Sequence, residues 1–154
     1  MLRDIERSAG ILFVAVGLPE IAEQEPEEVE DLAHFLAAGR AFVIVEGDVP
    51  VGYALVDIVD GQAHLEQLSV RPECGRRGLG ASLLEHVCQW AAQRFEAITL
   101  TTYEHVPWNA PFYAGHGFGV MDMDELGPEL RGLRQQEAGA GLDPSLRVCM
   151  RRQL

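Results

Sequence analysis

One stretch of the chain, residues 63–94, places a strand, a glycine-rich turn and an amphipathic helix in direct succession. In its first part, the apolar residues Leu65, Leu68 and Val70 stand among polar neighbours, which is typical of a strand. After the glycines, apolar residues recur at three- and four-residue spacing, which predicts a helix with one buried side. That side consists of Leu83, Leu84, Val87, Cys88 and Ala91. A strand that leads straight into a helix indicates a mixed α/β fold.

The turn between this strand and this helix reads Arg76-Arg77-Gly78-Leu79-Gly80-Ala81. Glycines allow the backbone to turn tightly and to approach a ligand closely. The helix that follows supplies unpaired N–H groups and the positive end of its dipole, and both favour a bound anion. We therefore predict an anion site at the turn, with a pyrophosphate as the anion. An ordinary loop-to-helix transition is the alternative interpretation of the two glycines taken alone.

The rest of the chain alternates between helical and strand-like patterns. Besides the helix that ends at Arg94, helices are predicted for residues 1–17, 29–38, 112–116 and 126–140. Strands are predicted for residues 41–46, 50–58, 63–70, 97–102, 118–123 and 147–153. No internal repeat or low-complexity linker separates these segments, so we expect a single domain over residues 1–154.

The charge of the chain indicates which classes of partner it can bind. The chain has 12 basic residues, all of them arginine, against 24 acidic ones, and its net charge is −12. Nucleic-acid binding is therefore disfavoured, because affinity for a phosphate backbone depends on basic side chains. No segment has the length and apolarity of a membrane span, and the N-terminus does not resemble a signal peptide. We expect no membrane partner and a cytoplasmic location.

Two common classes of glycine-rich turn do not fit this sequence. A P-loop requires a lysine after its last glycine, and the chain contains no lysine. A dinucleotide-binding fingerprint requires G-x-G-x-x-G, and Leu83 stands where the third glycine belongs. That fingerprint also opens the first βαβ unit of its fold, whereas this turn follows three strands predicted to form an antiparallel meander.

A second motif, Phe112-Tyr113-Ala114-Gly115-His116-Gly117-Phe118, follows downstream. Together with Arg77-Gly78-Leu79-Gly80-Ala81 after a strand, and with the order of elements, it resembles the GNAT superfamily of acetyl-CoA-dependent N-acetyltransferases. The resemblance implies a mixed, mostly antiparallel central sheet flanked by helices. The first strand of the family would precede Met1. We therefore expect either that this strand is absent from the chain or that the protein starts upstream of Met1.

The resemblance also implies acetyl-CoA as cosubstrate. The cofactor arm would pair with the strand backbone, and the pyrophosphate would be held by N–H groups of the turn. The residues implied for the arm are Leu68, Ser69 and Val70, and those for the pyrophosphate are Arg76, Arg77, Gly78, Leu79, Gly80 and Ala81. The leading Gln or Arg of the family motif falls on Gly75, so its role is either absent or taken by Arg76. The asparagine of the family falls on Val106, and Asn109 is interpreted either as a cofactor contact or as a cap of the turn before Pro111.

Direct acetyl transfer needs a base to deprotonate the amine and an acid to protonate the departing thiolate. The resemblance implies Tyr113 as the acid. For the base it implies His64 or Glu66, which lie two residues apart and so share one face of the strand. A histidine side chain titrates at about pH 6.5, and a glutamate can act when burial raises its pKa or through a water relay. Ribosomal-protein acetyltransferases place a glutamate where this chain has Thr101, which argues against that subclass.

His64 and Glu66 also have the spacing of two metal ligands, but no third ligand at suitable spacing accompanies them, so we expect no metal. The favoured hypothesis is an N-acetyltransferase that acts on an amine of a small molecule or peptide. The alternative is a non-catalytic GNAT-like domain that binds CoA as a sensor or scaffold. The helix over residues 126–140 is expected to shape the acceptor pocket or to form a homodimer contact.

Overall fold

The sheet of this molecule has six strands. The structure, a computed structural model, describes residues 34–47, 49–71, 78–106 and 109–154. Three predictions concern parts of the chain outside these residues. They are the helix over residues 1–17, the first part of the helix over residues 29–38, and the absence of the first family strand. Arg76 and Arg77 also lie outside these residues. Residues 34–37 are helical, and Gly39 follows them with a φ of +71°, as expected for a residue that ends a helix.

The strands are β1 (Ala41–Glu46), β2 (Val49–Val59), β3 (Gln62–Val70), β4 (Ala97–Tyr103), β5 (Gly119–Val120) and β6 (Arg147–Gln153). Their order in the sheet is β1-β2-β3-β4-β6-β5. β1 pairs with β2, β4 with β6 and β5 with β6 in antiparallel fashion, whereas β3 and β4 are parallel. The helices are α1 (Leu79–Ala92), α2 (Ala110–Ala114) and α3 (Pro128–Gly139). The predicted fold class, a mostly antiparallel sheet flanked by helices, is confirmed.

The turn between β2 and β3 is the Asp60-Gly61 pair that the sequence predicts. Both residues have positive φ, 53° for Asp60 and 75° for Gly61, which is the conformation that a tight hairpin turn requires. The parallel pairing of β3 and β4 needs a crossover, and α1 supplies it. The glycine-rich turn therefore lies between a strand and the helix that crosses over to the next strand.

Helix α1 confirms the prediction made from its periodicity. The whole predicted apolar side is buried, namely Leu83, Leu84, Val87, Cys88 and Ala91. On the opposite side of the helix, Ser82, His86 and Gln89 are exposed. Burial of a large apolar side chain stabilises a fold by about 1.5–3 kcal/mol, so this side dominates the energetics of the helix.

Several predicted boundaries need correction, among them the end of α1, which lies at Ala92 rather than at Arg94. α2 begins at Ala110 rather than at Phe112, because Pro111 is compatible with the first helical turn. Only Gly119 and Val120 of the strand predicted for residues 118–123 are assigned to β5, since the N–H of Phe118 bonds back to the carbonyl of Tyr113 and Met123 begins a short 3-10 helix. α3 begins at Pro128 rather than at Leu126.

The molecule divides into two compact units. Among the described residues, the first comprises those up to Asp57 together with Glu66–Gln89, and the second comprises Ile58–Leu65 together with Trp90–Leu154. Phe35, Tyr53 and Leu55 form a core cluster of the first unit, with Ala41 packed against it. A core cluster of the second unit joins residues from β2, α3 and β6 and the segment before α3. Its members are Val59, Leu126, Leu130 and Cys149, with Met121 and Leu133 packed against them.

Candidate functional site

The start of α1 has the geometry of an anion site. Gly78 precedes the helix with a φ of +74°, a left-handed conformation that glycine adopts without steric cost. No described atom lies within 4 Å of the position that a Cβ of Gly78 would take. The first intrahelical bond runs from the N–H of Ser82 to the carbonyl of Gly78, at 3.0 Å. The N–H groups of the three residues before Ser82 thus precede the helical ladder, and the first turn contains no acidic residue.

Leu79, Gly80 and Ala81, three of the residues predicted to hold the pyrophosphate, form this first turn and are all half-buried. Arg76 and Arg77, the other two besides Gly78, lie outside the described residues. The open space at Gly78 and the absence of acids in the first turn of α1 are what a bound phosphate group requires. The described residues therefore fit a pyrophosphate.

The end of β3 carries the three residues predicted to contact the cofactor arm. Ser69 is buried, and its hydroxyl accepts a hydrogen bond of 2.6 Å from Nε2 of Gln67, whereas Leu68 and Val70 are half-buried. Gly52 of β2 lies directly against this segment. A Cβ on Gly52 would come within 2.9 Å of the carbonyl oxygen of Ser69. A glycine is therefore needed here so that β2 can approach the backbone of β3.

His64, a candidate base, is almost fully buried, with 2% of its surface exposed. Its Nδ1 lies 2.8 Å from Oγ1 of Thr99, its register partner on the parallel strand β4. The hydroxyl of Thr99 in turn lies 3.5 Å from the carbonyl oxygen of Ala63, to which it donates. This chain of contacts orients the imidazole ring. Glu66, the second candidate base, is half-buried two residues further along β3.

Tyr113, the candidate acid, lies in α2 two residues after Pro111 and is buried, with 7% of its surface exposed. Its ring packs edge-on against Phe118 at a centroid distance of 5.6 Å, and its neighbour Phe112 lies at 5.2 Å. Burial raises the pKa of Tyr113 above its ordinary value. The side chain is therefore a neutral phenol at physiological pH and retains a proton to donate.

Asn109 occupies the N-cap position of α2, but its side chain makes no capping hydrogen bond. Its Nδ2 is buried and has no hydrogen-bond partner among the described residues. Of the two interpretations of this residue, capping is therefore wrong. A buried amide nitrogen without a partner costs about 1–3 kcal/mol, which a ligand oxygen would recover. The residue thus fits a polar contact to a ligand.

The sequence did not predict a cluster of polar side chains around Thr101. The hydroxyl of Thr101 donates to Oε2 of Glu137 at 2.6 Å and accepts from Nη2 of Arg147 at 3.1 Å. Nε of Arg147 bonds to Oε1 of Glu137 at 3.2 Å, and its guanidinium lies over the ring of Tyr103 at 4.7 Å. A carboxylate therefore contacts Thr101, the position where ribosomal-protein acetyltransferases have a glutamate, but here it belongs to Glu137 of α3. No local spacing could have revealed this, because the contacts join residues 36 and 46 positions apart.

Among the residues that the structure describes, no group of three or more potential ligand side chains could hold a metal ion. The expected lack of a metal remains a prediction. In the same part of the chain, no helix combines the length and the apolarity that crossing a bilayer demands.

Comparison with known families agrees with this geometry. A sequence model described as the acetyltransferase (GNAT) family matches residues 8–118, well over half of the chain. The match covers both the glycine turn and the segment that contains Tyr113. The chain therefore belongs to the GNAT acetyltransferase family, as its motifs predict.

Solved structures show the same fold at low sequence identity. The PaiA N-acetyltransferase of Thermoplasma acidophilum, in complex with coenzyme A, is 16% identical with a TM-score of 0.71, over 99% of this chain and 91% of that one. The ribosomal-protein-S18-alanine N-acetyltransferase of Escherichia coli is 18% identical with a TM-score of 0.65, over 98% and 84%. The N-acetylglutamate synthase of Neisseria gonorrhoeae, complexed with coenzyme A and N-acetyl-glutamate, is 18% identical with a TM-score of 0.69, over 96% and 33%.

Proposed function

We propose that this chain transfers an acetyl group from acetyl-CoA directly to an amine of a small molecule or peptide. The observation that carries the proposal is the start of α1, where a left-handed Gly78 precedes a first turn without acids in a member of the GNAT family. N–H groups at such a helix start bind a pyrophosphate without a metal ion. The unpartnered Nδ2 of Asn109 supports a further polar contact to the cosubstrate.

The proposed base lies on β3. An amine reaches the site protonated and must lose a proton before it can attack a thioester carbonyl. If the hydroxyl of Thr99 donates to the carbonyl of Ala63, it accepts from Nδ1–H of His64, and the lone pair of the imidazole is on Nε2. In this arrangement Thr99 is a positioning residue and His64 takes the proton. Glu66 is the second candidate, directly or through a water molecule.

The proposed acid is Tyr113. Transfer of the acetyl group releases a thiolate, and a proton or a strong hydrogen bond stabilises the negative charge that forms on its sulfur. A phenol whose pKa is raised by burial remains protonated at the pH at which the amine reacts. Tyr113 can therefore donate its proton as the thiolate forms, and its buried ring keeps the hydroxyl in a fixed position.

Release of CoA from acetyl-CoA, measured across polyamines, aminoglycosides, basic peptides and simple amino compounds, tests the proposal. Tyr113→Phe is expected to lower kcat about 100-fold or more, because a positioned acid or base contributes about that much. Its affinity for acetyl-CoA, measured by calorimetry, is expected to stay near that of the parent protein. His64→Gln and Glu66→Gln, separately and together, identify the base, and Thr99→Val is expected to reduce kcat less than His64→Gln.

Two outcomes would contradict the proposal in different ways. Unchanged turnover in both Tyr113→Phe and the His64→Gln/Glu66→Gln double variant would refute the assigned mechanism. Binding of acetyl-CoA without turnover of any amine would instead favour the non-catalytic sensor or scaffold. Arg94→Gln, which alters an exposed residue at the end of α1, serves as a control that should change neither kcat nor the affinity for acetyl-CoA.

A further inference from the structure

A cavity of about 220 Å³ in the second unit lies outside the residues assigned to the proposed reaction. Residues of the segment before α3, of α3 itself and of the start of β6 line it. Met121, Leu126 and Val148 form apolar walls, and Arg134 and Arg147 contribute guanidinium groups. Apolar walls with a few placed polar groups are typical of a site for a small molecule.

The two arginines differ in how their charge is balanced. Arg147 has 12% of its side chain exposed and forms an ion pair with Glu137 at 3.2 Å. Arg134 is half-buried and donates to the carbonyl oxygens of Pro144 and Arg147, each at 3.1 Å, and to Sγ of Cys149 at 3.9 Å. Within the part of the chain that the structure describes, no carboxylate forms an ion pair with Arg134. Arg134 is therefore a cation in the cavity wall with no ion-pair partner among the described residues.

The other polar groups of the wall do not neutralise Arg134. Burial raises the pKa of the Cys149 thiol, despite the opposing effect of Arg134, so Cys149 stays neutral at physiological pH. Asp122 is exposed to solvent, and its backbone carbonyl accepts the N–H of Glu125 at 3.0 Å. Because Arg147 is paired with Glu137, Arg134 is the guanidinium of this wall that can bind an anion.

We infer that this cavity binds a small organic carboxylate with an apolar substituent, the carboxylate on Arg134 and the substituent against Met121, Leu126 and Val148. The planar guanidinium matches a carboxylate with two parallel hydrogen bonds. The carboxylate belongs either to the amine acceptor, in which case the inference rests on the proposed function, or to a free molecule that regulates the protein. Both sources present the same group to Arg134.

Sheet register relates the cavity to the candidate base. His64 pairs with Thr99 on β4, and Thr101, two residues further on the same face, pairs with Cys149 on β6. Adjacent strands are about 4.8 Å apart and residues along a strand about 3.3 Å apart, so two strand spacings and two residues place Cys149 of the cavity wall roughly 12 Å from His64. An acceptor that contacts both would separate its amine from its carboxylate by several carbon atoms, as 6-aminohexanoate does.

Isovalerate and its uncharged isostere isovaleramide test the binding. Isovalerate is expected to raise the melting temperature of the protein and to bind measurably by calorimetry, whereas isovaleramide is expected to bind at least about tenfold more weakly. A hydrogen bond to a charged group contributes about 1.5–3 kcal/mol, which corresponds to that ratio or more. Equal binding of the two compounds would overturn the inference.

Two variants locate the binding site. Arg134→Met removes the cation and is expected to abolish the preference for isovalerate. Because it also removes bonds to two carbonyls, a second variant leaves them intact: Met123, which lines the cavity with 64% of its surface exposed, is changed to Glu to repel a carboxylate. Met123→Lys is expected to retain or strengthen binding, and Val45→Glu, which adds the same charge on β1, should have no effect. Unaltered isovalerate binding in both Arg134→Met and Met123→Glu would refute the site.

Measurements of amine turnover distinguish a carboxylate of the acceptor from a carboxylate of a separate regulator. If it belongs to the acceptor, 6-aminohexanoate will have a lower KM than its amide, isovalerate will compete with it, and Arg134→Met will raise that KM with little change in kcat. If it belongs to a regulator, isovalerate will alter turnover of an uncharged amine without competing with it. Isovalerate binding that depends on Arg134, in a protein that turns over no amine, would defeat the proposed function and leave the cavity assignment standing. Turnover of amines with no preference for carboxylate acceptors and no effect of isovalerate would instead support the proposed function and refute the cavity assignment.

Discussion

Helices α1 and α3 begin in opposite ways. At α3, the carboxylate of Asp60 accepts the N–H groups of Glu129 and Leu130 at 2.9 and 3.1 Å, and the N–H of Asp60 donates to Oε2 of Glu129 at 2.6 Å. At α1, the first turn contains no acid, and Gly78 turns the chain in a left-handed conformation. The protein therefore closes the start of α3 with its own anion and has no acid in the first turn at the start of α1.

The difference teaches that the same backbone groups can serve stability or binding. Every helix start has N–H groups without intrahelical partners and a positive dipole end. Where a side chain from the same protein satisfies them, the helix is anchored, as Asp60 anchors α3 to the turn between β2 and β3. Where the protein places no acid, the same groups are available to an external anion. The chain has 24 acidic residues, yet none of them is in the first turn of α1. This distinguishes the start of α1 from the start of α3, which Asp60 caps.

The largest expected effect is on the affinity for acetyl-CoA, and it comes from a substitution at the start of α1. Gly78→Val forces a β-branched residue into the left-handed region and fills the open space beside the first turn, so the affinity for acetyl-CoA is expected to fall about 100-fold or more, as for the loss of one or two charge-assisted hydrogen bonds. Gly47→Val is the matched control, because Gly47 also has positive φ, 60°, and open space but lies in the turn after β1. Calorimetric titration with CoA measures both. Equal loss in the two variants would show that strain, rather than the anion site, is responsible.

A smaller effect disturbs the closed start of α3. Gly127 packs so closely against the carboxylate of Asp60 that a Cβ would collide with it, and Gly127→Ala is expected to lower the free energy of unfolding by about 1–3 kcal/mol. Gly132→Ala, in the interior of α3 with open space around it, is expected to raise it by about 0.5–1 kcal/mol. Urea denaturation measures both. A stabilising Gly127→Ala would mean that Asp60 does not anchor the helix.

The smallest effect sharpens the comparison by making α1 resemble α3. Ser82→Asp places an acid in the first turns of α1, which is expected to raise the free energy of unfolding by about 0.3–1 kcal/mol through the helix dipole. The added negative charge is expected to weaken acetyl-CoA binding about threefold, because it competes with the bound anion for the same groups. Ser82→Asn has nearly the same shape without the charge. Equal weakening by Asn and Asp would remove the electrostatic explanation.

Where neighbouring residues decide the structure, the sequence was a good guide. β1 and β6 have the predicted bounds, Ala41–Glu46 and Arg147–Gln153, and every residue of the predicted apolar side of α1 is buried. The Asp60-Gly61 turn formed for the same reason, since both positions accept positive φ at low cost. The strand-to-helix turn was predicted from its glycines together with the strand pattern before it and the helical periodicity after it.

The candidate site was predictable only in part. The motif of the family suggested Gly78, Ser69, His64 and Tyr113, but it contained no information about Thr99, which contacts His64 from the neighbouring strand. Capping by Asn109 was wrong because its backbone, with φ −114° and ψ −110°, lies outside the extended region of an N-cap, and its side chain makes no capping bond. Glu137 and Arg134 were not predicted, since α3 showed only a spacing of leucines and its polar side is oriented by contacts distant in sequence.

By itself, the sequence determined the order of elements, the buried side of α1 and membership of the GNAT family, because periodicity, turn residues and motifs are local properties of the chain. Only the tertiary structure decided that Asp60 fills the start of α3 and, among the described residues, which of Arg134 and Arg147 has a carboxylate partner. Asp60 reaches α3 from 69 residues away, and Glu137 reaches Thr101 from 36. Such pairings depend on strand register and on how α3 packs, and neither is encoded in any short segment.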